Sequence, residues 1–463
     1  MKDKVTVVIL AAGLGTRMKS TKAKVLHEAG GDTLLNHIIR AALHVTSAEN
    51  IVAVVGHQAQ RVKDSVHVPG IRFAEQAEQK GTGHAVMCAR EAAQSDHGQL
   101  LILNGDGPLL RPQTLHHLTN EVEKPESGGK IITTMLRDPT GYGRIVRDND
   151  GNVEAIVEQK SANAEQLALR EVNPGLYCFN APLFWQHVDM ITPNIAAKEY
   201  YLTDMVEILT RHGHPITPVL VKDHTELLGI NTRLDLSVAD TILRERKTHE
   251  LMLAGVTIEN PHSVVIDVDV QVGTDTVIEA GVQLRGKTHV GPECRIGAGS
   301  ILRDCELGTG VTILPYVVAE ASSIGDQASV GPFSRLRMHA VAGPASHIGN
   351  FVELKKTRLG AGAKASHLAY LGDAVIGDNS NIGAGTITCN YDGEKKHGTN
   401  IGAGVFVGSN STLVAPLTIE PGAFIAAGSV ITKHVSADAL AIGRAHQTEK
   451  AGWAKRRREK RQA

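Results

Sequence analysis

The chain has 463 residues, enough for about three domains of ordinary size and for buried cores that need no metal or disulfide staples. Its 48 basic and 49 acidic side chains nearly cancel, so the molecule as a whole has no electrostatic footprint for nucleic acid or an anionic membrane. No apolar run approaches the roughly 18 residues that span a bilayer, and five scattered cysteines with no CxxC pair fit a reducing, cytoplasmic setting rather than a disulfide or zinc framework.

The start, MKDKVTVVILAAG, has the lysines and short apolar stretch of a signal peptide. Val5 to Ala12 is short for that purpose, however, and Gly13 opens a phosphate-type loop, so the segment reads as a buried first strand. Apolar runs follow at Ile51 to Val55, Leu100 to Leu103, Ile131 to Met135 and Val153 to Val157, with amphipathic stretches at Leu34 to Val45, Gly83 to Ala92 and Thr114 to Val122. Near-continuous apolar strands separated by helix-length segments predict a doubly wound α/β domain, a parallel sheet covered on both faces, over residues 1–231. Leu234 to Leu253 repeats apolar residues at helical spacing without Gly or Pro, which predicts a linker helix within 232–253.

From residue 254 to 463 the period is different. Val407, Leu413, Ile419, Ile425 and Ile431 stand six apart, and the same spacing links Val290 with Ile296, Ile324 with Val330 and Ile376 with Ile382. Six residues of α-helix turn about 600°, which scatters such positions over different directions, so a helix is excluded. Six is a multiple of the strand period of two, and GAGS, GDNS and GAGT punctuate it. Each hexad is therefore one short strand and a corner, and three hexads close a coil of about 18 residues. Residues 256–437 make roughly ten coils of a hexapeptide β-helix. One polar stretch, CNYDGEKKHGTN at 389–400, has no apolar column residue in register and should protrude from a corner.

Gly13 and Gly15 let backbone N–H groups face phosphate oxygens, and Arg17 and Lys24 supply positive charge beside them. A plain turn before a basic segment would explain the two glycines as well. Asp106 lies beyond the carboxyl end of an apolar run, where ligands of open α/β sheets bind, although an Asp in NGDG is as often a turn-former as a metal ligand.

LAAGLGTRM, KVLH, QAEQKGTGHA, NGD, GYGRI, IVE and GIN together resemble the sugar-nucleotide pyrophosphorylase family of nucleotidyltransferases. With the hexapeptide repeats, the chain is similar over nearly its whole length to the bacterial uridyltransferase/acetyltransferase family that makes UDP-N-acetylglucosamine. That resemblance implies a nucleotidyltransferase domain followed by a left-handed parallel β-helix. It implies that Leu10, Ala11, Ala12, Gly13, Lys24, Gln76, Gly81, Thr82, Asn104, Gly105 and Asp106 line the nucleotide. Gly143, Glu158, Asn173 and Asn231 belong to the sugar end, with Asp106 and Asn231 as Mg²⁺ ligands and UTP as the nucleotide. Ala23, Asn104 and Pro174 depart from the family's pattern.

In the second half RLR, FVELKK, SHLAYLGD and NIGAGTITCNYDG resemble the acetyltransferase site of the same family. An imidazole titrating near neutrality is suited to take the proton that an attacking amine must lose, which makes His367 the expected general base. Glu353 is the expected residue to orient it. The resemblance assigns Arg337, Lys355, Tyr370 and Asn381 to glucosamine-1-phosphate, and Ala384, Asn390, Tyr391, Ser409, Ala427 and Arg444 to acetyl-CoA. It also implies a homotrimer. The basic tail KRRREKR at 455–461 reads first as a solvated end, with contacts to CoA phosphates or a neighbouring subunit as the alternative. Nucleic acid and membrane insertion are not expected. Two rival readings remain: another pyrophosphorylase whose β-helix is only structural, and a non-catalytic regulatory subunit that keeps both folds.

Overall fold

The computed structural model describes residues 4–93, 97–120, 126–195 and 198–462. Residues 1–3 of the lysine-bearing start, and the end of the Thr114 to Val122 stretch, lie outside these. The chain divides into two compact units, Met1–Arg244 and Glu245–Ala463.

The first unit is built on ten strands: β1 (Val5–Leu10), β2 (Ile51–Val55), β3 (Arg72–Glu75), β4 (Gln99–Asn104), β5 (Gly129–Met135), β6 (Gly143–Arg147), β7 (Val153–Val157), β8 (Glu171–Asn173), β9 (Tyr177–Asn180) and β10 (Ile216–Leu220). They lie in the order β8-β6-β7-β10-β5-β9-β4-β1-β2-β3. Strands β3, β2, β1 and β4 run parallel, as the apolar runs predict. The other half is mixed: β9 is antiparallel to both β4 and β5, and β6, β7 and β8 pair antiparallel. The all-parallel expectation thus fails beyond β4. Short connections such as Asp148–Asn152 can only fold a strand back on its neighbour, whereas parallel pairing needs a crossover.

Both faces of the sheet are covered. Val7, Ile9, Leu101 and Leu103 point to one side, onto Leu35, Ile38 and Ile39 of the helix Leu34–Ala42. Val8, Leu100 and Ile102 point to the other, where Val86 of the helix Thr82–Cys88 and Phe184 of the helix Ala181–His187 are buried. Thr33 caps the helix Leu34–Ala42 by accepting from the Asn36 N–H at 3.2 Å. A helix runs over Arg233–Leu253.

The second unit is a β-helix of short parallel strands in three sheets of eleven, ten and nine strands. The hexad period has a direct structural reading. Val407 lies on one face, Leu413 on the next, Ile419 on the third, and Ile425 and Ile431 repeat the circuit one coil on. All five are buried in a core made of Val, Ile, Leu and Ala. The 389–400 stretch leaves this core between the strands Ile387–Cys389 and Thr399–Ile401 and closes on itself. There Asp392 accepts from the Glu394 and Lys395 N–H groups at 2.8 Å and meets His397 Nε2 at 2.6 Å.

Candidate functional sites

Two chemically different clusters form, one in each unit. In the first, parallel pairing sets Leu10 beside Asn104 at the carboxyl ends of β1 and β4. The Gly105 N–H donates to the Leu10 carbonyl at 3.0 Å and the Ile230 N–H to the Asp106 carbonyl at 2.9 Å, so three distant segments meet at one point. Gly15 has φ +64°, and a Cβ on it would lie 2.6 Å from the Lys24 Cβ. Only glycine allows the loop to fold back that closely on the segment bearing Lys24.

Lys24 Nζ then pairs with the Asp106 carboxylate and donates to Asn231 Oδ1 at 3.1 Å, while Arg17 Nη2 reaches the same Asn231 oxygen at 2.8 Å. Lys24 and Asp106 are mostly buried. Asp106 and Asn231 therefore offer two hard oxygen donors converging on one cationic point, a donor set that fits a divalent cation completed by phosphate oxygens. Asp235, which the sequence did not single out, holds this corner by accepting from the Asn231 and Thr232 N–H groups at 3.0 and 2.8 Å.

Next to this point is a cavity of about 200 Å³ lined by Leu10, Thr82, Asn104, Gly143, Glu158 and Asn173. Six sequence-predicted residues are thus brought together. Asn173 donates from Nδ2 to Tyr177 Oη at 2.7 Å and accepts the Gly175 N–H at 3.0 Å. Burial pushes the Glu158 carboxyl above its ordinary value, against the hydroxyl of Thr203 at 3.4 Å. Two of the departures touch each other: Asn104 Nδ2 donates to the Pro174 carbonyl at 3.1 Å. Thr203, which lies in none of the quoted strings, and Tyr142, which lies within GYGRI but was not singled out, also line this cavity.

In the second unit the coil stacking aligns the candidates. Arg337 and Lys355 are register partners on one face, and Tyr370 lies opposite Glu353 on the same face. Lys355 Nζ is buried and bonds Asp373 Oδ2 at 2.6 Å; Asn390 Nδ2 donates to the same oxygen. Burial works against each charge, yet the Lys355–Asp373 bond outweighs it, raising the lysine pKa and lowering that of the aspartate.

His367 stands at the adjoining corner. The expected partner Glu353 does not orient it. Glu353 accepts from Arg337 Nε at 2.6 Å, because its strand belongs to the next sheet. Asn350, the register partner of His367 one coil earlier, holds the imidazole instead, with Oδ1 at 2.7 Å from Nδ1. With Asn350 Oδ1 as the acceptor, the proton sits on Nδ1 and Nε2 keeps its lone pair.

The acetyl-CoA candidates fall in two places. Ala384, Ser409, Ala427 and Arg444 follow successive strands of the sheet that carries His367, and so occupy successive coils at the same corner. The Asn410 N–H donates to the Ala384 carbonyl at 2.7 Å and the Gly428 N–H to the Ser409 carbonyl at 2.8 Å. Asn390 and Tyr391 instead open the 389–400 loop at the next corner, where Tyr391 is exposed. Asn381 pairs with Lys364 beside His367's strand.

Comparison with known proteins adds an independent line. Residues 7–169 match the MobA-like NTP transferase domain family and residues 398–433 the bacterial transferase hexapeptide (six repeats) family. The chain is 54% identical over 458 residues to the bifunctional protein GlmU of Solibacter usitatus, covering 99% of this chain and 98% of that protein. It is 46% identical to the GlmU of Koribacter versatilis, covering 98% and 97%, and 43% identical to that of a Geobacillus species, covering 97% of each. A nucleotide-transferase fold and a hexapeptide β-helix joined in one chain, aligned end to end with these relatives, make this protein a member of the bifunctional GlmU family.

Proposed function

We propose that the two reactions of UDP-N-acetylglucosamine synthesis run on the two clusters described. Acetyl transfer from acetyl-CoA to glucosamine-1-phosphate takes place on the β-helix. Uridylyl transfer from UTP to N-acetylglucosamine-1-phosphate, with release of pyrophosphate, takes place in the first unit. The observation that carries this reading is the meeting of Arg17, Lys24, Asp106 and Asn231, 207 residues separating Lys24 from Asn231. Cations and hard oxygen donors gathered at one point are what a reaction between two phosphorylated substrates requires.

No protein nucleophile is needed in the first site, since the sugar phosphate oxygen attacks the α-phosphorus directly. Mg²⁺, held by Asp106 and Asn231, would supply neutralisation of the converging negative charges. Arg17 and Lys24 add positive charge where pyrophosphate departs, and the cavity with Glu158, Asn173 and Gly143 orients the sugar.

In the second site His367 Nε2 takes the proton from the substrate amine as it attacks the thioester carbonyl, with Asn350 keeping the ring in the required tautomer. Arg337 and Lys355 bind the phosphate, and Ser409 supports the oxyanion. The family likeness and the projecting 389–400 loop support a homotrimer, in which that loop reaches a neighbouring copy. Among the described residues no helix is long and apolar enough to cross a membrane, and the free cysteines fit a cytoplasmic location.

A paired assay tests the assignment: pyrophosphate release from UTP plus N-acetylglucosamine-1-phosphate, and free CoA from acetyl-CoA plus glucosamine-1-phosphate. Asp106→Asn lowers the first rate by at least about 10²-fold and leaves the second intact. His367→Ala does the reverse, by about 10²- to 10⁴-fold. Loss of both activities in either folded variant would refute two separate sites.

A further inference from the structure

We infer that His84 is a positioning residue that turns Gln76 into a pure hydrogen-bond acceptor, and that this selects the base of the nucleotide. The inference rests on the reading that Gln76 lies at the uridine end. Gln76 directly follows β3, is 3% exposed, and its N–H is fixed to the Val55 carbonyl at 2.8 Å. Its side-chain Nε2 is 3.0 Å from the Gly81 carbonyl and 3.1 Å from His84 Nδ1.

A carbonyl oxygen only accepts, so the atom facing Gly81 must be the amide nitrogen; chemistry fixes the flip. The Gly81 carbonyl is itself held, because it also accepts from the Ala85 N–H at 3.1 Å. The second amide hydrogen points to His84 Nδ1, which therefore carries a lone pair while Nε2 carries the proton. One helical turn on, the Cys88 sulfur lies 3.7 Å from that Nε2, consistent with the same tautomer.

Both hydrogens of the Gln76 amide are thus occupied within the protein. Only Oε1 has no partner among the described residues, and it can only accept. Uracil presents an N3–H donor, whereas cytosine presents a bare N3 lone pair at the same position. An acceptor-only Gln76 attracts the first and repels the second. Without the His84 acceptor one N–H of Gln76 is left unpaired and the Gly81 carbonyl alone holds the amide, so the orientation of Oε1 is less firmly kept and the distinction weakens.

The test measures pyrophosphate release by the full chain with UTP and with CTP for the unaltered protein, His84→Leu and His84→Asn. His84→Leu should raise KM for UTP about tenfold, keep kcat within about twofold, and lower the UTP-to-CTP ratio of kcat/KM about tenfold, the size of one lost hydrogen bond. His84→Asn, whose Oδ1 supplies an acceptor near the place of Nδ1, should keep that ratio within about threefold. Free CoA production should be unchanged in both, and an unchanged far-UV circular dichroism spectrum and thermal unfolding profile show that the first unit is folded. An unaltered UTP preference in His84→Leu, or an equal loss in His84→Asn, would overturn the role of His84. Equal use of UTP and CTP by the unaltered protein would instead overturn the placement of Gln76 at the base, and the inference with it.

Discussion

Asp204 shows how a single carboxyl can matter without touching a substrate. It opens the helix Asp204–Arg211, and burial, with Glu207 and Glu158 nearby, raises its pKa from 3.8 to about 6. With its pKa raised, this acid contributes stability that is fully present below about 4, where both states are protonated, and is lost between about 4 and 6, where the folded state holds a proton that the unfolded chain has released. Asp204→Asn should therefore stabilise the first unit at pH 7 by on the order of 1 kcal/mol after solvent screening, and have little effect at pH 4, as read by thermal unfolding at the two values. A second residue, Asn350, acts through His367. Asn350→Ala should lower kcat for acetyl transfer about tenfold with KM for acetyl-CoA nearly unchanged, since it frees the ring to take the wrong tautomer. Lys24, Asp106 and His367 were legible in the sequence because charge or imidazole sits in a recognisable string. Asn350 and Asp235 were not, because each acts on a neighbour met only through strand register or a turn, and the role of His84, although it lies within QAEQKGTGHA, depends on a fold of the chain that the string does not show. Glu353 and Asn350 stand three positions apart in sequence, but they lie on strands of different sheets, with a coil corner between them.

At the level of elements, the loop after β1 and the coil corners show opposite tolerances. Gly15→Val would place branched carbons against the Lys24 Cβ at a left-handed backbone position, moving the lysine away from Asp106. Uridylyl transfer should drop by more than about tenfold, with acetyl transfer unchanged. The 389–400 insertion, by contrast, costs the ladder nothing: Ile387 still pairs with Thr412, and Ile401 with Ile419, on either side of it. In the core of the same coils, Ile419→Ala should destabilise the β-helix by about 2–5 kcal/mol, measured by denaturant unfolding. The hexad repeat was readable because one side chain per strand is buried on every face, which leaves a strict period. Strands β1, β2 and β4 were readable because both their faces are covered. The antiparallel strands β6 and β8 were not, since they are short and partly exposed and carry too few apolar residues to announce their direction.

For the molecule as a whole, the decisive fact is that each unit carries its own buried core among the described residues. Each should therefore respond to its own insult. Titration with a strong chelator should abolish pyrophosphate release while free CoA production stays constant, because the proposed divalent ion belongs to Asp106 and Asn231 of the first site and the proposed acetyl transfer uses none. The β-helix has a further consequence. Each coil climbs by one strand spacing of about 4.8 Å, so groups on one face stand at fixed rungs, as Arg337, Lys355 and Gly372 do. Such a scaffold is a ruler: side chains can be exchanged freely at a rung, but the distance between rungs is not adjustable, and a ligand with a different span can be met only from a corner.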